Sequence, residues 1–172
     1  MSLIKANNGG RFLWLSLLVI VIDQITKYLV VQNIDYGTSG IKLTSFFNLV
    51  HVYNTGAAFS FLADSGGWQR WFFSMVALVI SAGLMLLLLR TSRHSRWTCI
   101  SIALIIGGAI GNLIDRLLMG YVVDFLLFYL KLDSGVWSYP AFNVADIGVT
   151  TGACLLVLIG LFGHEDTADK KL

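Results

Sequence analysis

Proline occurs once in this 172-residue chain, cysteine twice and histidine three times, and only 13% of the residues are charged. Each scarcity closes off a class. An ordinary soluble domain carries about 25% charged residues, and a disordered chain needs still more charge with low hydrophobicity. One proline and scattered glycines exclude collagen-like and low-complexity chains. The net charge of +2, with basic residues dispersed along the chain, excludes a nucleic-acid partner. His51, His94 and His164 are far apart and match no metal-ligand spacing, so no metal site is expected. Cys99 and Cys154 both fall in apolar runs and read as buried free thiols.

Apolar residues are what the chain has in abundance. They make up 56% of it, and the mean hydropathy is +0.76. A soluble globule of this size cannot hide that much apolar surface around one core. The reading is an integral membrane protein, a single unit over 1–172 with no repeat, linker or second domain. Four runs reach the roughly 20 residues that cross a bilayer, at about 12–31, 71–89, 97–118 and 141–162. Each must be a helix, because hydrocarbon leaves no other way to satisfy the backbone of so short a chain. The first run has a basic start, but Asp23 and Gln24 interrupt it and no small-residue cleavage site follows. It therefore reads as a retained span rather than a cleaved signal sequence.

Basic residues set the orientation. Lys5, Arg11, Arg90, Arg93, Arg96, Lys170 and Lys171 fall on one side, against Lys42, Arg70 and Lys131 on the other. That predicts cytoplasmic termini and a cytoplasmic 90–96 loop, with 32–70 and 119–140 outside. The outer stretch Phe46–Tyr53 is rich in aromatic and β-branched residues and suits a strand. Asn54-Thr55-Gly56 is a turn signal, and Ala57–Leu62 reads as a second extended piece. Trp68, Trp71, Phe72 and Phe73 form an expected interfacial anchor.

An ionisable residue inside a span costs at least roughly 2.5–3.5 kcal/mol, so each needs a reason. Counting 1.5 Å per helical residue puts all of them in one layer near the outer surface. Asp23 and Lys27 lie past the midplane of span one, four residues apart, where they can pair. Gly108, Asn112, Asp115 and Arg116 share a face near the end of span three. Asp124 follows it, and Asn143 and Asp146 occupy the first two turns of span four. Gly107 with Gly111, and Gly148 with Gly152, stand at helix-contact spacing. Asp23 with Lys27 reads as a structural ion pair. Asp115 with Arg116 reads likewise as structural, neutralising charge and holding spans together. Asn54 fits an ordinary turn. Asp124 and Asp146 resist such explanations: neither has Lys or Arg within a helical turn, and two unpaired carboxylates at one depth are costly unless they share a proton.

Five blocks, in order, resemble the bacterial lipoprotein signal peptidases, or signal peptidase II. They are Asp23-Gln24-Ile25-Thr26-Lys27, Asn54-Thr55-Gly56-Ala57-Ala58-Phe59, the stretch 107–116 (GGAIGNLIDR), Val122-Val123-Asp124-Phe125 and Phe142-Asn143-Val144-Ala145-Asp146. The stretch 131–141 between the last two carries no such motif. The resemblance implies four transmembrane helices, a small extracytoplasmic β-cradle between helices 1 and 2, and a short helix near the membrane surface. It implies an aspartic endopeptidase of the bacterial inner membrane, sensitive to globomycin and working without metal or cofactor. Its substrate would be a prolipoprotein, cut just before a diacylglyceryl-modified cysteine at the extracytoplasmic face. Membrane lipids are implied partners, and a monomer is expected. The matched catalytic pair is Asp124 and Asp146. Asn112 and Arg116 match positions that engage the substrate main chain. Asn54, Gly56, Gly108, Asn143, Asp23, Lys27 and Asp115 match supporting positions.

The residues suit amide hydrolysis, in which an ionised carboxylate takes a proton from water and its protonated partner donates one to the leaving nitrogen. A proton-coupled transporter is the rival from another class, but it needs polar groups through both leaflets and often shows repeats. A non-enzymatic scaffold would have no use for Asp124 and Asp146. A Ser–Lys peptidase using Lys27 would lose all activity on Lys27→Met.

Overall fold

The computed structural model describes residues 7–56 and 67–162. The expected extended piece 57–62 lies outside them, as do Lys5, Lys170 and Lys171. A 3-10 turn, Gly9–Phe12, leads into helix α1 (Leu13–Asn33). Strands β1 (Ile41–Lys42) and β2 (Phe47–Asn54) follow, then helices α2 (Gln69–Arg90) and α3 (Arg96–Leu118). Strands β3 (Val122–Leu132) and β4 (Gly135–Ser138) precede helix α4 (Val144–Phe162). All four long helices have the length and apolarity to cross a membrane. Beyond them, the described residues hold no surface helix except the 3-10 turn.

Helix α3 is the hub, touching α1, α2 and α4. It carries small residues where those neighbours come closest. A Cβ at Gly108 would collide with the Ala145 carbonyl oxygen of α4, and one at Gly107 would sit 2.8 Å from the Ser16 carbonyl of α1. Hydrocarbon gives helices no hydrophobic reason to associate, so such close backbone approach is what binds them. Gly111, Gly148 and Gly152 also lie at inter-helix contacts, as their spacing predicts. One buried apolar cluster, Phe12, Leu88, Cys99, Ile102, Ala103 and Ile106, fills the end near the 3-10 turn. A second, Val30, Ile34, Val123 and Phe125, lies beneath the strands. Cys154, by contrast, is exposed on α4, which corrects the expectation of two buried thiols. In a membrane helix an apolar run does not separate core-facing from lipid-facing positions.

The strands form one antiparallel sheet in the order β1-β2-β3-β4. It begins in the α1–α2 connection, as expected, but takes its longest strand from the α3–α4 connection. A register shift between Leu49 and Val52 marks a bulge in β2, after which Asn54 pairs with Val122 and Val52 with Asp124. Three stacked rings, Tyr36, Tyr53 and Tyr121, tie the sheet to the ends of α1 and α3, with centroids 4.2 and 3.9 Å apart. After β4 the chain returns along β3. Phe142 and Leu126 exchange backbone hydrogen bonds of 3.1 and 2.8 Å. That bridge fixes where α4 begins, at Val144 rather than at Ala141.

Candidate active site

The polar residues singled out above gather at the sheet end of the bundle. Asn143 is not inside span four but caps it. Its Oδ1 accepts from the Asp146 N–H at 3.0 Å, and its own N–H donates to Asp146 Oδ2 at 3.1 Å. This reciprocal capping box satisfies two backbone donors that a helix start would otherwise leave open. The Asn143 side-chain N–H then donates to Asp124 Oδ1 at 2.7 Å. One asparagine thus links both carboxylates that lacked a structural explanation.

The two carboxylates are held by amides. Asp124 Oδ2 accepts from Asn54 Nδ2 at 2.9 Å, and Asp146 Oδ1 accepts from Asn112 Nδ2 at 2.8 Å. Among the described residues neither forms a salt bridge. Asn54 is positioned as the turn signal implied, its Oδ1 accepting from the Gly56 N–H at 3.0 Å. Asp124 is 3% exposed. Burial, and then the nearby charge of Asp146, push its carboxyl up to about 7 from the usual 3.8, against the opposing hydrogen bonds from Asn54 and Asn143. At neutral pH a large fraction of Asp124 therefore carries a proton.

Both carboxylates line a cavity of about 670 Å³, with Asn54, Asn112, Arg116, Phe128, Trp137 and Ile147 also in its wall. The Arg116 guanidinium donates to the Gly56 carbonyl at 2.8 Å and to the Asn112 carbonyl at 3.3 Å, while its Nε has no hydrogen-bond partner among the described residues. The Phe73 ring lies 5.6 Å from it. Arg116 does not pair with Asp115.

Asp115 belongs instead to a second cluster. The Lys27 ammonium lies 2.7 Å from Asp23 and 2.7 Å from Asp115, and 2.9 Å from Asn112 Oδ1. Three acceptors use its three donors, which leaves it no role as a base for a serine. Asp23 Oδ1 accepts from the Ala145 N–H at 2.8 Å, at the start of α4. Gln24, quoted in the first block but given no role, donates to Asp115 Oδ1 at 2.8 Å and so ties α1 to α3. A polar side chain beside Asp23 in an apolar run was the available signal.

A family model described as signal peptidase (SPase) II matches residues 15–162. The chain belongs to the signal peptidase II family. It is accordingly a peptidase. Among the family's members, the lipoprotein signal peptidase of Aeromonas hydrophila subsp. hydrophila is 50% identical over 169 residues, covering 98% of each chain. That of Pseudoalteromonas atlantica is 48% identical over 163 residues, covering 95% of this chain and 96% of its own. A solved structure described as a bacterial membrane enzyme superposes with a TM-score of 0.77 at 29% identity, over 95% of this chain and 94% of the other. In this signal peptidase II chain, all five matching blocks except the tail 57–59 lie within the described residues, and each contributes side chains or backbone to the two clusters.

Proposed function

We propose that this signal peptidase removes signal peptides from prolipoproteins, cutting just before a diacylglyceryl-modified cysteine, with Asp124 and Asp146 as an aspartate pair that activates water. The observation that carries the proposal is the pair itself: two carboxylates in one cavity wall, Asp124 buried and Asp146 partly buried, held by asparagine amides and with no ion pair among the described residues. Asp146, in the first turn of α4, takes a proton from the attacking water. Asp124, with its raised pKa, is the protonated member and gives its proton to the leaving nitrogen. The Arg116 Nε, without a hydrogen-bond partner among the described residues, is a donor for a substrate carbonyl. The reaction needs no metal and no cofactor.

Arg11, Arg90, Arg93 and Arg96 lie at the end of the bundle remote from the sheet, which supports a cytoplasmic position for that end in the inner membrane. The cavity then faces the extracytoplasmic side, at a depth where the acyl chains of a substrate stay in the bilayer. Apart from Arg90 and Arg96 at helix ends, the ionisable side chains of the four spans lie at or towards the sheet end, which favours a peptidase over a transporter. We expect the enzyme to act as a monomer, among membrane lipids.

The test is cleavage by purified enzyme of a prolipoprotein peptide bearing diacylglyceryl cysteine, beside the same peptide with a bare cysteine. Burying acyl chains is worth about 0.8 kcal/mol per CH₂, so the lipidated peptide is cut far faster. Equal turnover of the two would overturn the lipid requirement.

A further inference from the structure

We infer that Lys27 is a positioning residue for the aspartate pair: its ammonium fixes which end of the Asn112 side-chain amide meets Asp146. The inference rests on the aspartate-pair reading above. Lys27 itself contacts neither Asp124 nor Asp146 by hydrogen bond or ion pair; its charge acts on Asp124 across space, and its contacts reach the pair through the side chains around it.

Asn112 is built to be that intermediary. An amide side chain has one accepting end and one donating end, of nearly equal size. An ammonium can only donate. With Lys27 Nζ 2.9 Å from Asn112 Oδ1, the other end of the amide, Nδ2, is directed to Asp146 Oδ1 at 2.8 Å. Turning the amide over would set an NH₂ against the ammonium and an oxygen against the carboxylate. Both contacts would be repulsive, in a place where Lys27 is 3% exposed and little water can screen them. Asn143 Nδ2 also reaches Asn112 Oδ1, at 3.1 Å, but lies closer to Asp124 Oδ1, at 2.7 Å. Without Lys27 the amide loses the one charged donor that holds it.

The two carboxylates that grip Lys27 extend the same control. Asp23 accepts from the N–H of Ala145, one residue before Asp146. Asp115 accepts from the N–H of Val123, one residue before Asp124, at 3.4 Å. The cation therefore stands at the centre of contacts that reach the backbone beside each member of the pair. A purely structural ion pair needs Asp23 alone. It does not need a neutral amide whose far end lies on a reacting carboxylate.

The experiment is a double-mutant cycle on kcat and KM with the lipidated peptide, using Lys27→Met, Asn112→Ala and both together. Thermal unfolding is measured for each, and rates are taken per folded enzyme. Because Lys27→Met leaves Asp23 and Asp115 without a counter-charge, the cycle is repeated in an Asp115→Asn background, where the substitution leaves the centre with the same net charge as the native cluster. Misplacing a catalytic group costs roughly 10- to 100-fold, so Lys27→Met lowers kcat by about that much, with KM within about threefold. Added to Asn112→Ala, it lowers kcat by no more than about a further threefold, because the intermediary is already gone. Losses that multiply, or an unchanged kcat per folded enzyme, would overturn the inference and leave Lys27 a purely structural cation. Activity in Asp146→Asn under the same assay would instead overturn the aspartate-pair reading itself. An inactive Asp146→Asn beside multiplying losses would remove the positioning role alone.

Discussion

Two pairs of carboxylates lie in the same layer of this protein, three of the four groups buried and Asp146 partly so, and they are treated differently. Asp23 and Asp115 share one ammonium, at 2.7 Å each, and spend their remaining oxygens on backbone and side-chain donors. Among the described residues, Asp124 and Asp146 receive only amide and backbone N–H groups. A close cation ties a carboxylate into an ion pair and makes it a brace. Neutral donors hold a carboxylate in place without fixing its charge, and a group that must both take and give a proton needs that freedom. Lys27 pairs directly with the first two and touches the second two through its neighbours Asn112, Asp23 and Asp115.

The comparison breaks first if chemistry does not depend on the amide-held pair. Asp124→Asn and Asp146→Asn should each lower peptide cleavage by at least roughly 10²–10⁴-fold, and the double variant should be little worse than either single. Retained cleavage in a normally folded single variant would sink the assignment. The cation-held pair should behave in the opposite way. Breaking a buried ion pair by removing one partner costs about 3–5 kcal/mol, so Asp23→Asn should lose stability of that order, read by thermal unfolding, with cleavage per folded enzyme reduced far less.

Acidity distinguishes the pairs again. The folded-state pKa of Asp124 stands near 7 against an ordinary 3.8. A carboxyl raised in this way contributes stability that is full below about pH 4 and lost as the pH climbs through about 7, amounting to about 4 kcal/mol over the interval. Unfolding measured from pH 4 to 8 should show that decline, and Asp124→Asn should flatten it. An equal slope in the variant would count against the raised pKa. The smallest expected effect comes from Asn54→Ala. The Asn54 amide favours the charged form of Asp124, so its loss should move the corresponding limb of the pH–rate profile upward, by under about one unit. A downward shift would show that Asn54 does not act on Asp124.

Much of this arrangement was legible in the sequence. Hydropathy located four spans to within a few residues, since bilayer thickness leaves little choice of length. Aromatic and β-branched content located β2. Strand β3 was not found, because VVDFLLFYLKL is nearly continuous in apolar residues and has no period to separate strand from helix. The spacing of Asn143 and Asp146 read as two helical turns, whereas the same spacing also marks a cap and the third residue after it. Lys27 with Asp23 followed from the i, i+4 rule. Asp115 as its other partner, in place of Arg116, did not, because contacts between helices are set by packing that no local spacing encodes. The tie from Asn143 to Asp124 depends in turn on the Phe142–Leu126 bridge, which joins segments on either side of a hairpin.

The box that opens α4 has a consequence for how the enzyme comes into being. A chain synthesised only as far as the hairpin already contains Asp124, but no second carboxylate to work with. Asp146 arrives on the last span, and the contacts that start that helix also set Asp146 beside Asn143 and Asn112. On the proposed assignment of Asp124 and Asp146, helix initiation and assembly of the cutting site are one event. A half-inserted chain would then be inert, and the newborn protease would not cleave its neighbours in the membrane before its own fold is closed.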